Sequence, residues 1–140
     1  MQATWLPGIG AGEDSFERVF GVRRELYDGY VAFRDAIVRE SRLSAGVVSR
    51  CAERVEWLLT AVGAESAARD AGERALFVFV DKFVRDPHAI GDDDVAALRD
   101  SRSVAEVVGL TELLALLDGF TRFRLILDAG VPTPALRGND

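Results

Sequence analysis

Apolar side chains recur along this chain at spacings of three and four, with polar residues filling the gaps. From Arg23 to about Glu40, Leu26, Tyr30, Phe33 and Ile37 mark one face of an α-helix, with Arg23, Glu25, Asp28, Arg34, Asp35 and Arg39 turned elsewhere. A second stripe, Val47, Val48, Cys51, Val55, Leu58, Leu59 and Val62, predicts a helix capped by Ser44 and ended by Gly63. Ala64 to Ala71 reads as helical, with Gly72 as a break. Leu76-Phe-Val-Phe-Val80 has the composition of a strand, yet Glu73 and Arg74 before it and Asp81 to Val84 after it extend a helical face. A lone strand would have no partner, so the expectation is a buried helix. Asp86 to Gly91 forms a turn, after which Asp92, Asp93 and Asp94 cap a short helix through Leu98 and Arg99. Ser103-Val-Ala-Glu106 is a capping box. It opens the longest stripe, Val107, Leu110, Leu113, Leu114, Leu117, Phe120, Phe123 and Leu127, running up to Asp128 and Gly130. Proline and glycines make residues 1–12 irregular, with Trp5 as a surface anchor. Asp14 and Ser15 cap a short turn carrying Phe16, Val19 and Phe20, and residues 132–140 form a flexible tail. The expected architecture is one all-α domain over residues 1–140, a bundle of about six helices.

Composition narrows the function classes. With 49% apolar and 29% charged residues, the 140-residue chain has the balance of a globular domain, so disordered and fibrous readings fall away. Lys and Arg number 17 against 23 Asp and Glu, a net charge of −6. That balance repels phosphate backbones and anionic lipid, so neither nucleic acid nor a membrane surface is an expected partner. Cys51 is the only cysteine and His88 the only histidine. No intrachain disulfide or four-sulfur metal site can form, and a Ser-His-Asp triad could use only His88. No metal or cofactor is expected. Residues 1–12 lack the basic-then-apolar pattern of a signal peptide, and no run approaches the roughly 18 apolar residues of a spanning helix. The expected setting is reduced and cytoplasmic.

Four residues stand out as candidates for chemistry or binding. Cys51 lies on an apolar stripe, where a cysteine is a small core residue; as a nucleophile it would need Arg50 or Arg54 to depress its pKa. Glu56, beside Trp57 on the same helix, reads either as a solvated residue or as a partly buried general base. Arg122 and Arg124 sit among Phe120, Phe123, Leu125 and Leu127, where a guanidinium either pairs with a carboxylate or carbonyl or anchors an anionic ligand. His88 reads as an exposed turn residue and Asp92 to Asp94 as caps. The Gly8, Gly10, Gly12 run has no preceding strand and no following Lys-Ser/Thr, so it is a poor phosphate loop.

Several short motifs occur in a telling order: Leu43-Ser-Ala-Gly-Val-Val, Glu73-Arg-Ala-Leu76, Phe83-Val-Arg-Asp-Pro-His-Ala-Ile, Asp92-Asp-Asp-Val-Ala-Ala-Leu98, Ser103-Val-Ala-Glu-Val-Val and Phe120-Thr-Arg-Phe-Arg124. The series resembles the carboxymuconolactone decarboxylase and alkyl hydroperoxidase D-like family over most of residues 16–131. Arg124 stands six residues before Gly130, the arginine's usual offset, while Phe123 occupies the place of the usual asparagine. The resemblance implies an all-α alkyl hydroperoxidase D-like fold, but the catalytic set departs from the pattern. Peroxidase-like members carry Cys-x-x-Cys with a histidine four residues after the first cysteine; here Cys51 is followed by Arg54 and Val55 at those positions. Decarboxylase-like members carry Glu-Trp-x-x-His; Glu56-Trp57 is followed by Thr60. The expected function is therefore that of a family protein without its catalytic set, binding a small apolar or acidic molecule or serving in assembly. The alternatives are an enzyme, either a one-cysteine peroxidase through Cys51 or a decarboxylase-like site through Glu56, and a helical interaction module with no pocket. The resemblance also implies a homo-oligomer, a trimer or hexamer. Apolar residues on adjacent faces of Val104 to Leu127 point the same way, with this helix or Leu76–Val84 expected at the subunit contact.

Overall fold

A computed structural model describes residues 15–127 of the chain, so the irregular opening through Gly12, the Asp14 cap, Asp128, Gly130 and the tail from Pro132 fall outside the described residues. The described residues are all-helical. A short helix α1 (Ser15–Phe20) and a 3-10 turn (Gly21–Arg23) lead into α2 (Arg24–Glu40), α3 (Ala45–Thr60), α4 (Ala71–Arg85), a second 3-10 turn (Pro87–Ala89), α5 (Asp92–Arg99) and α6 (Val104–Ile126). The Leu76–Val80 run is helical and buried as expected, carrying Leu76, Phe77, Phe79 and Val80 into the core from α4.

Helix α6 is the axis of the fold. Ser103 and Glu106 make the anticipated capping box, each side chain bonded to the other's backbone N–H at 3.1 and 2.6 Å. Leu110, Leu113, Leu114, Leu116 and Leu117 are all buried, because α2, α3, α4 and α5 pack around the helix from different sides. The leucines on adjacent faces of α6 are thus packed within one chain, while Val104, Val108, Leu125 and Ile126 of the same helix stay exposed. In α4, Leu76, Phe77, Phe79, Val80 and Val84 are likewise buried within the chain and Val78 is exposed.

Helix α2 is turned relative to the sequence reading. Its buried residues are Tyr27, Tyr30, Arg34 and Ile37, whereas Leu26 and Phe33 are each 56% exposed. At 3.6 residues per turn this is a rotation of roughly 50°. Aromatic packing accounts for it. Phe20 of α1 sits edge-on to Tyr27, Tyr30, Phe120 and Phe123 with centroids 5.0 to 5.8 Å away, and Tyr30 meets Phe120 at 4.3 Å. Turning Leu26 and Phe33 inward would swing Tyr27 out of that cluster. Arg34, expected outside, is buried with its guanidinium over the Tyr30 ring at 5.7 Å and its Nε–H on Asp35.

Two further helix ends differ from expectation. Helix α3 stops at Thr60 rather than near Gly63: Ala61 takes a left-handed conformation (φ 52°), and the Thr60 hydroxyl accepts the Val62 N–H at 3.2 Å, leaving Val62 76% exposed. Residues 64–70 are not helical, and Gly72 lies inside α4. The reason is Asp70, whose extended backbone and carboxylate, accepting the Glu73 N–H at 2.8 Å, start α4 there.

Gly109 sets how close α6 comes to the turn between α2 and α3. A Cβ at this position would lie 2.8 Å from both Cα and Cβ of the buried Ser41. Ser41 is itself fixed, its N–H bonded to Ile37 O at 2.9 Å and its hydroxyl accepting the Leu43 N–H. Gly109→Ala should therefore destabilise the protein by about 1–3 kcal/mol through overpacking, despite alanine's better helix propensity. A urea midpoint equal to or above wild type would refute that close approach.

Candidate functional site

Helices α3 and α4 carry matching charges at helical spacing. Arg50 and Arg54 lie one turn apart on α3; Glu73, Phe77 and Asp81 repeat every four residues along α4. The two helices pack so that Arg50 donates through Nε and Nη2 to Glu73 at 2.6 and 3.0 Å, and Arg54 donates through Nε and Nη2 to Asp81 at 2.7 Å each. Both pairs are two-point contacts of the kind the planar guanidinium favours. Phe77 lies between them, with both guanidinium carbons 4.9 Å from its ring centre, and Arg54 also lies 5.0 Å from the Trp57 ring. The same two arginines hold the loop 61–70, since Arg50 donates to Ala67 O and Arg54 to Ser66 O and Glu65. The sequence reading missed this ladder. Its signal was present: charges four apart on one helix, opposite charges eight apart on the next.

Cys51 lies on α3 between the two arginines and is 0% exposed. Neither arginine serves it as a depressing charge, because each is engaged by a carboxylate of α4. Burial pushes the thiol up to about 12, outweighing a weaker opposing pull from Arg102. Such a thiol is held protonated and out of reach of solvent.

Two of the four candidates do come together. Arg124, 8% exposed near the end of α6, donates through Nη2 to the half-buried Glu56 carboxylate of α3. The pair joins the two helices and occupies one oxygen of the carboxylate expected as a base; Arg124 Nε has no partner among the described residues. Arg122 does not join them. It is exposed, bonded to Asp118 on its own helix at 3.0 Å and to Val84 O of α4 at 3.2 Å. His88 is exposed in the second 3-10 turn. Asp94 caps α5 by accepting the Gly91 N–H and pairs with Lys82, each at 2.9 Å. Among the described residues no cluster of three or more His, Cys, Asp or Glu is arranged to hold a metal ion, and no helix is long and apolar enough to cross a membrane.

Two clefts open on either side of Arg54. One, of about 280 Å³, runs between α3 and the loop, lined by Glu53, Arg54, Glu56, Trp57, Val62 and Ser66. The other, of about 410 Å³, lies between the loop and α4, with Glu65, Arg74, Phe77, Val78 and Asp81 on its walls. Cys51 lines neither.

The Arg50 contact leaves a pH signature. Hydrogen bonds from Arg50, joined by the Arg69 N–H, hold the Glu73 carboxyl down at about 2, against an ordinary 4.5. A depressed carboxylate pKa contributes stability that is present above about 4.5 and is lost as pH falls toward about 2. Glu73→Gln should lower stability at neutral pH and flatten the acid limb between those two values. Denaturant midpoints across that interval check it, and an unchanged slope would place the acid sensitivity elsewhere.

No family model, curated protein or solved structure matches the chain.

Proposed function

We propose that this chain is a non-catalytic helical assembly protein of carboxymuconolactone decarboxylase and alkyl hydroperoxidase D-like type, acting in the reduced cytoplasm as a homo-oligomer. The observation that carries the non-catalytic reading is the state of Cys51, fully buried with its thiol pushed up to about 12. The neighbouring positions point the same way. Arg54 and Val55, where peroxidase-like members resembling this chain carry cysteine and histidine, are an ion-paired arginine and a core valine. Glu56, the decarboxylase-like candidate, is bound to Arg124. A peroxidase cycle needs a thiolate that reaches its oxidant, and an acid/base site needs a carboxylate free to exchange a proton.

The test is made on the folded chain with a thiol reagent and with hydrogen peroxide. Cys51 should stay unlabelled until denaturant is added, and peroxide should not be consumed. Peroxide turnover that Cys51→Ser abolishes would instead establish the one-cysteine peroxidase. Small-ligand binding is a second reading, favoured by the two clefts beside Arg54, which lie near the lower end of ligand-pocket volumes. Their walls mix Glu and Arg with Trp57, Phe77 and Val78, so a ligand with both charged and apolar parts suits them.

A further inference from the structure

The face of α2 left outside the core has an order of its own. Leu26 and Phe33 are seven residues apart and each 56% exposed. Gly29 and Ala36, likewise seven apart, interleave with them at the three- and four-residue spacing of a two-helix seam. Large and small positions therefore alternate along one strip. At Gly29 the strip is hollow, because a Cβ there would meet no atom within 4 Å. One flank carries Glu25, Ala32 and Arg39, all exposed, with the acid at the N-terminal end of the strip and, at the C-terminal end, the base, whose Nε–H also meets the exposed Glu40 carboxylate at 2.8 Å.

We propose that this face docks a second copy of the same chain, the two α2 helices lying antiparallel about a two-fold axis. This rests on the assembly reading above and names its contact. Antiparallel pairing sets each large side chain against a small residue of the other copy: Leu26 opposite Ala36, and Phe33 entering the hollow at Gly29. It also brings Glu25 of each copy to Arg39 of the other, so the flank pairs opposite charges twice. A parallel arrangement would instead set Phe33 against Phe33 and Gly29 against Gly29, leaving the hollow unfilled. A two-fold contact is self-complementary by construction, and this strip meets that condition in both shape and charge. One helix face is small beside the roughly 800 Å² per partner of a standard interface, so the contact is concentration-dependent.

The experiment is light scattering and sedimentation equilibrium on the full chain at low ionic strength, with four variants. Wild type should show a mass of at least twice 15.3 kDa that falls on dilution. Phe33→Asp should be monomeric with an unchanged melting midpoint at dilution, since Phe33 is outside the core. Glu25→Arg and Arg39→Glu should each weaken association, roughly tenfold, by placing like charges opposite each other. The double variant carrying both should recover it. Association that survives Phe33→Asp, or single charge variants that the double fails to rescue, would overturn this contact while leaving an assembly role intact. A mass of 15.3 kDa at every concentration would remove both.

Discussion

Cys51→Asp should leave the chain largely unfolded at neutral pH, the largest single effect expected in this protein. The side chain is 0% exposed in a cluster that includes Val48, Val55, Leu110, Leu113 and Leu114, each also 0% exposed. Burying an unpaired carboxylate costs several kcal/mol even after relaxation, against a total stability of about 5–15 kcal/mol for a domain of this kind. An aspartate can escape part of that cost by staying protonated, so the variant should be less unstable in mild acid than at neutral pH. Cys51→Ala, by contrast, removes one sulfur and should cost only about 1 kcal/mol. Wild type carries the same physics in its alkaline limb. The native thiol titrates at about 12 and an ordinary one at 9.0, so the stability it contributes is whole below 9.0 and is lost as pH rises toward 12. Urea melts of the three proteins across pH check the set. Equal midpoints for wild type and Cys51→Asp would mean that this position faces water.

The second large effect belongs to Arg54. Removing one partner of a buried ion pair strands the other, and such losses run to about 3–5 kcal/mol. Arg54 is 8% exposed and Asp81 more open at its edge, so Arg54→Ala is expected near the lower figure, about 3 kcal/mol. The variant also loses the stacking over Trp57 and Phe77 and the bonds to Glu65 and Ser66. Proteolysis within residues 61–70 should accelerate accordingly. Replacing both partners, Arg54→Met with Asp81→Leu, removes the charges together and should recover most of the stability. A double variant as unstable as the sum of its singles would show that the pair contributes through something other than mutual neutralisation.

The two effects mark how far the chain could be read without its structure. The all-helical fold was legible because the three-and-four spacing of apolar residues is a local property, and so were the Ser44 and Ser103 caps and the helical state of Leu76–Val80. The core position of Cys51 followed from the same spacing. Rotation of α2 was not legible, since apolar periodicity weighs Leu26 and Phe33 equally with Tyr27, and Tyr30 lies on both possible faces. Only the rings of Phe20, Phe120 and Phe123, distant in sequence, choose between those two faces. The end of α3 turned on a single hydroxyl, Thr60, and the start of α4 on a single carboxylate, Asp70.

For the candidate site, the sequence by itself determined which chemical groups exist: one thiol, one imidazole, and arginines and carboxylates at helical spacing. Only the tertiary structure decided which of them are spent. It put Glu73 and Asp81 on Arg50 and Arg54, Glu56 on Arg124, and apolar side chains around Cys51. A guanidinium pairs with whichever carboxylate packing brings within hydrogen-bonding reach, and a thiol's pKa follows the water packing takes away. Both depend on how helices far apart in sequence come together, whereas the helices themselves follow from neighbours three and four residues away.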